Sequence, residues 1–303
     1  MKKDLPIRFK TIAEYHKYRN LPKPDHPLIS VINLEELDLG SEDPKNIYCD
    51  FYCIALKRFS NAKIKYGQQE YDFDEGIMLF LSPGQVFSIE VENDFKHSGW
   101  SLMVHPDFLW NSLLATTIKQ HGFFNYAVNE ALHLSEKEET IIIDIIKNIN
   151  QEYKANIDSF SQPVIMAQLE LLLTYSDRFY NRQFITRKIT NHKILDRLEL
   201  LLSDCFSSAH LNENGIPTVQ FIAQALNVSP NYLSGLLKAI TGQSTQQHIH
   251  DKLIEKAKEK LLTTNLSVSE IAFELGFEHS QSFSKLFKIK TTLTPIQFKA
   301  SFN

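Results

Sequence analysis

The last ninety residues of this chain are written twice. Ile222-Ala223 with Leu226 returns as Ile271-Ala272 with Leu275, forty-nine residues on. Leu233, Leu236, Leu237 and Lys238 return as Phe283, Leu286, Phe287 and Lys288, fifty residues on. The added residue falls in the turn, so each copy reads as a short helix, a tight turn and a longer helix. A duplicated unit of this kind buries its apolar side against its neighbours in the array. The region is thereby restricted to an all-helical domain with two equivalent hairpins.

The turn chemistry agrees with that reading. Asn227 in the first copy and Gly276 in the second stand where the short helix ends, and both residue types tolerate the left-handed backbone of such an end. Ser229-Pro230 reads as an N-cap followed by a first helical residue. Ser267 with Glu270 is a capping box that opens the second short helix.

Each longer helix is amphipathic. In the first copy Leu233, Leu236, Leu237 and Ile240 face inward, with Asn231, Ser234 and Lys238 outside. In the second, Phe283, Leu286 and Phe287 face inward, with Gln281, Lys285 and Lys288 outside. Amides, hydroxyls and ammonium groups on an exposed helix reach base edges and phosphates. An ordinary solvated face is the alternative for either copy alone. Between the copies, Ile249, Leu253, Ala257 and Leu261 form a stripe on a helix over 246–262, whose length of roughly 26 Å suits two reading heads about one DNA turn, ~34 Å, apart. Its lysines, Lys252, Lys256, Lys258 and Lys260, alternate with Glu255 and Glu259 and read as a solvated face first, a phosphate contact second.

Net charge alone would hide a nucleic-acid partner, being -4 for the whole chain. Its distribution does not. Residues 210–303 hold nine Lys/Arg against seven Asp/Glu, +2, and the remainder holds 23 against 29, -6. The carboxy-terminal part is the one suited to phosphate.

The front part has a different texture. Residues 1–28 are polar, with Pro22, Pro24 and Pro27, and read as an irregular lead-in. Short β runs follow at 29–34, 47–58, 62–66, 76–81, 86–91 and 99–104, separated by turn signals at Asp74-Glu75-Gly76 and Ser82-Pro83-Gly84. Tyr48, Phe51, Tyr52 and Trp100 read as core, with a pocket lining as the alternative. Helices follow: one opened by the box Ser135-Glu138 and running to about 156 with Ile141, Ile142, Ile145, Ile146 and Ile149, and one over 162–182 with Ile165, Leu169, Leu172 and Leu173. Residues 184–193 are polar and basic and read as a linker, and a further helix covers about 194–208. The expected architecture is α+β: a β-rich barrel with helices over 1–183, the linker, then an all-α domain over 194–303.

Residues 191–303 resemble the AraC/XylS family of bacterial transcription regulators. The likeness rests on Ile222 through Leu233, on Thr241-Gly242, on Ile271-Ala272 through Gly276-Phe277 to Phe283-Ser284-Lys285-Leu286-Phe287-Lys288, and on Thr294-Pro295 with Phe298 and Lys299. It implies a double helix-turn-helix domain that contacts double-stranded operator DNA through Asn231, Ser234, Gly235 and Lys238 in the first head. In the second it implies Ser280, Gln281, Ser282 and Lys285, beside which Lys288 shares the outer face. Two departures stand out. Gly235 replaces a long polar or basic residue, and Thr292 replaces a glycine in the turn before Thr294-Pro295. The front resembles the family's cupin-like sensor domain, which implies a homodimer and a small-molecule effector; RNA polymerase is a further partner open to such a protein.

Other classes remain as alternatives. A cupin-type metalloenzyme needs a ligand set such as two histidines and a carboxylate, and the β region offers only His97 and His105, so neither metal, cofactor nor enzymatic activity is expected. An interaction adaptor without DNA binding would fit the weak charge and Gly235. Cys49, Cys53 and Cys205 read as free thiols, the first two being roughly 13 Å apart if they share one strand. No leader and no membrane-length apolar run are read, so a cytoplasmic location is expected.

Overall fold

The computed structural model describes residues 6–36, 47–58, 63–66, 69–72, 76–86, 98–127, 130–155, 158–186, 188–207, 211 and 215–301. In chain order the elements are β1 (Ile7–Phe9), α1 (Ile12–Tyr18), β2 (Ile29–Asn33), β3 (Ile47–Cys49), β4 (Tyr52–Arg58), β5 (Lys63–Tyr66), β6 (Gln69–Asp72), β7 (Ile77–Leu81), β8 (Ser98–Val104), α2 (Leu114–Thr117), β9 (Leu132–His133), α3 (Glu136–Lys154) and α4 (Ser161–Thr186). There follow α5 (Lys188–Cys205), α6 (Val219–Ala225), α7 (Pro230–Thr241), α8 (Thr245–Thr263), α9 (Val268–Glu274), α10 (Ser280–Thr291) and α11 (Pro295–Ala300). The chain forms two compact units, Met1–Gln183 and Phe184–Asn303.

The front unit is built on an antiparallel sheet in the order β2-β8-β4-β7-β9, with two small two-stranded sheets, β1-β3 and β5-β6. Among the described residues this sheet does not close into a barrel. Tyr52, Ile54 and Leu56 alternate inward along β4, where period two places them on one face. Tyr52 meets Phe124 at 5.0 Å and Phe80 meets Phe123 at 4.3 Å between ring centroids. Ile142, Ile145, Ile146 and Ile149 of α3 are buried, as are Ile165, Leu169, Leu172 and Leu173 of α4. Glu138 closes the start of α3, its Oε2 accepting from the Ser135 N–H at 2.9 Å and from Arg182 Nη2 at 2.6 Å.

The lead-in holds a strand and a helix, because Thr11 and Glu14 make a reciprocal capping box at α1. The single strand read over 47–58 is two. β3 pairs in parallel with β1, β4 pairs with β7 and β8, and the chain changes sheets at Asp50-Phe51. Asp50 holds that corner through its N–H to Phe9 O at 2.9 Å and its carboxylate to Arg8 at 2.7 Å. Cys49 and Cys53 are therefore neighbours rather than far apart, and their hydrogen bond is the leading cause, ahead of burial, of the raised Cys53 pKa; both are free thiols. The stretch 184–193 carries helix to Thr186 and again from Lys188. The stretch is therefore helical rather than irregular, no Gly or Pro interrupting residues 164–214. All but Val86 of the expected strand at 86–91, together with His97 and the turn residues Asp74-Glu75, lie outside the described residues, as does Arg187 of the stretch read as the linker.

Candidate nucleic-acid interface

The two hairpins share one core. Ile222, Ala223, Leu226, Leu233 and Leu237 of the first copy and Ile271, Ala272, Leu275, Phe283 and Phe287 of the second pack with Ile249, Leu253, Ala257 and Leu261 of α8. Every residue of the spacing-four stripe read on α8 is buried. The helix has 19 residues, about 28 Å at 1.5 Å per residue.

The short helices end identically. Asn227 has φ 58° and Gly276 has φ 85°. Val228 N–H donates to Ala223 O at 3.0 Å and Asn227 N–H to Gln224 O at 3.1 Å. In the second copy Phe277 N–H donates to Ala272 O at 3.0 Å and Gly276 N–H to Phe273 O at 2.9 Å. This paired bonding is the Schellman motif in both copies. Ser229 accepts from the Tyr232 N–H at 3.2 Å, and Ser267 and Glu270 form their capping box. That pair also holds the Glu270 carboxyl below its ordinary range, the bond from the Ser267 backbone leading.

The repeat extends beyond the hairpins themselves. Gly242 with φ 77° and Thr292 with φ 66° are equivalent left-handed ends of α7 and α10. Ser244 with Gln247 opens α8 by a capping box, and Thr294 with Gln297 opens α11 by another. All these pairs are fifty residues apart.

Asn231 and Lys238 on α7 and Gln281, Ser282, Lys285 and Lys288 on α10 are exposed, while Gly235 and Ser280 are half-buried. Ser234 is turned aside: it is half-buried, and its hydroxyl bonds Thr245 Oγ1 at 3.0 Å. His279, unremarked in the sequence, occupies the position of Ser229. It caps nothing through its side chain and is exposed beside Ser280. The fifty-residue offset was the signal that could have found it.

The lysines divide sharply. Lys252, Lys256 and Lys260 pair with Glu255, Glu259 and Glu274 at 3.0, 2.8 and 2.5 Å. Lys290 pairs with Asp251 at 2.7 Å, Lys258 lies 5.7 Å above the Phe298 ring, and Lys299 donates to Thr264 O at 3.2 Å. Lys238, Lys285 and Lys288 have no such partner among the described residues. They are the lysines of the two outer faces. An ammonium without a carboxylate partner meets phosphate without first breaking an ion pair.

In the front unit His105 serves its own turn, its Nδ1 accepting from the Asp107 N–H at 3.2 Å. Among the described residues no three His, Cys, Asp or Glu side chains converge as metal ligands would, and no helix is long and apolar enough to cross a membrane.

Two helix-turn-helix hairpins on a shared core, joined by one helix, define a double helix-turn-helix domain. Residues 222–301 match the family described as a helix-turn-helix domain. An HTH-type transcriptional regulator from the cgkA 5′ region of Pseudoalteromonas carrageenovora is 38% identical over 94 residues, 31% of this chain and 54% of that protein. The arabinose operon regulatory protein of Salmonella typhimurium is 29% identical over 253 residues, 82% of this chain and 83% of that one. Among solved structures, the C-terminal domain of the two-component response regulator yesN from Fusobacterium nucleatum is similar at 30% identity and a TM-score of 0.30, covering 34% of this chain and 95% of that one. The chain spans about half the length of two of the curated relatives it matches, 54% and 55%. Residues 222–301 thus carry an AraC-type helix-turn-helix domain.

Proposed function

We propose that this protein is a sequence-specific, DNA-binding transcription regulator. α7 and α10 enter two major-groove segments on one side of the duplex. Asn231, Lys238 and Gly235 act in the first head, and Ser280, Gln281, Ser282, Lys285 and Lys288 in the second. The observation that carries the reading is the division of the lysines: those on the two outer faces have no carboxylate partner among the described residues, while Lys252, Lys256 and Lys260 of the connecting helix are paired. Residues 1–183 act as a sensor that binds a small-molecule effector and pairs two copies, and residues 194–303 read the DNA. RNA polymerase is the downstream partner and the cytoplasm the place of action.

The test is fluorescence anisotropy of the full chain on a selected duplex and on one with about five base pairs inserted between the two segments. DNA turns once in about 10–10.5 base pairs, so that insertion carries one segment to the far side. Affinity should fall toward that of one head. Indifference to the insertion would show that only one hairpin enters the groove.

A further inference from the structure

We propose that His279, at the start of α10, reads a base edge, and that the base is a guanine of the segment α10 enters. The inference rests on the regulator reading above and adds to it a residue that lies before the outer face of that helix.

The helices from α6 to α11 begin alike, with one exception. Thr218, Ser229, Ser244, Ser267 and Thr294 open α6, α7, α8, α9 and α11, and each hydroxyl accepts a backbone N–H from the first turn. Such a cap satisfies one of the donors that a helix start leaves without an intrahelical partner. α10 begins at His279, whose ring makes no such bond. The main chain there still opens the helix, the His279 carbonyl accepting from the Ser282 N–H at 3.1 Å. The backbone at 279 therefore does what it does at Ser229, and the side chain does not. His279 is exposed, and its ring has no hydrogen-bond, ion-pair or aromatic partner among the described residues. It stands directly before Ser280 and Gln281, at the end of the helix whose first residues meet base edges when a helix-turn-helix docks in the major groove.

The neighbouring residue decides between phosphate and base. Val228 and Phe277 match at an offset of forty-nine, Ser229 and His279 at fifty, so Glu278 is the residue of the second turn without a counterpart in the first. Glu278 is exposed beside His279. Its carboxylate repels a backbone phosphate, whereas a base edge carries no net charge. Imidazole presents one N–H donor in either neutral tautomer. In the major groove guanine shows two acceptors, N7 and O6, and no donor. Adenine and cytosine place an amino donor on that edge, and thymine sets its one acceptor beside a methyl group. Guanine is therefore the base that meets His279 donor to acceptor whichever ring nitrogen holds the hydrogen.

The experiment selects binding sites from a random duplex pool with the full chain, as the parent, His279→Ala and His279→Ser. The parent should select a guanine at one position of the second segment that both variants select indifferently, with the remaining positions unchanged. Anisotropy on the parent's site should then show each variant binding about three- to ten-fold more weakly, the range one hydrogen bond supports. Replacing that guanine by adenine should weaken the parent by a similar factor and leave the variants where they were, since residue and base are coupled. His279→Ser restores the hydroxyl found at Ser229, so it should melt above His279→Ala while reading no better. A residue that served only the fold would not part stability from base preference in this way. Four results would each overturn the proposal and leave the regulator reading standing. They are a guanine preference kept by His279→Ala, equal losses on the guanine and adenine duplexes, a salt slope lowered by about 0.9 with preference intact, which marks a phosphate contact, and a serine variant no more stable than the alanine one. A parent chain that selects no site contradicts the regulator reading, and the role of His279 falls with it.

Discussion

Lys290, near the end of the second recognition helix, pairs with Asp251 of the connecting helix at 2.7 Å, and the other oxygen of Asp251 accepts from Gln243 Nε2 at 2.9 Å. One carboxylate thus ties the loop after the first recognition helix to the far end of the second. Lys290 and Asp251 are partly exposed, so the direct loss of stability in Asp251→Ala should stay below about 1 kcal/mol. The effect on coupling should be larger. Anisotropy on a duplex with both segments, against one with a segment scrambled, should show about 0.5–2 kcal/mol lost only on the intact site. Equal losses on the two duplexes would mean that the clasp does not set the relation between the heads.

Thr292 sits in the left-handed region at φ 66°, where its equivalent is Gly242. A β-branched side chain is strained there, and glycine is not, though glycine gains freedom when unfolded. Thr292→Gly should therefore raise stability by about 0.5–1 kcal/mol net, and Gly242→Thr should lower it by at least about 1 kcal/mol. Urea midpoints measure both. A destabilised Thr292→Gly would show that the hydroxyl, which donates to Thr291 O at 2.5 Å, outweighs the backbone strain.

The bond to Thr245 suits Ser234 to support the first head rather than to read DNA. Its partner Thr245 is fully buried, and removing one side of a buried hydrogen bond leaves the other unsatisfied. Ser234→Ala should lower stability by about 1–3 kcal/mol, while the folded fraction keeps its DNA affinity. A loss of affinity at full stability would restore Ser234 to the reading face.

His16, His26, His248 and His250 are all held below the ordinary imidazole value of 6.5, burial being the leading cause in each case. The Pro22 carbonyl opposes it at His16 and the Asp251 carboxylate at His248 and His250, while Lys290 adds to it at His250. Below about 6.5 the unfolded chain takes up protons that the folded chain does not, so stability is full above that pH and declines as pH falls through it. The urea midpoint should be lower at about pH 5.5 than at about pH 7.5, and His16→Gln should narrow the gap. A gap unchanged in His16→Gln would show that His16 does not contribute.

What the sequence disclosed and what it hid follow from the range of the interactions. The hairpins were legible because Asn227, Gly276, Ser229 and Ser267 act on neighbours within a few residues. Thr11 and Glu14 were legible in the same way, but the prolines downstream obscured them. The break at Asp50-Phe51 depends on which strands β3 and β4 join, and that is decided by β1, β7 and β8. The inward turn of Ser234 depends on Thr245, eleven residues on, and the clasp of Asp251 on Lys290, thirty-nine residues on. No local pattern announces either.

On the proposed reading Lys238, Lys285 and Lys288 meet DNA and the paired lysines of α8 do not. The most direct measurement is the slope of log affinity against log salt concentration for the full chain on its selected duplex. Each phosphate left without its lysine should reduce that slope by about 0.9. The triple variant Lys238→Ala/Lys285→Ala/Lys288→Ala should then flatten the slope by about 2.7 if all three meet phosphate, and by somewhat less, with weakened sequence preference, where one reads a base edge. Lys252→Ala/Lys256→Ala should leave slope and preference unchanged. A triple variant that keeps the parent's slope and selectivity, or a control that loses them instead, would contradict the account.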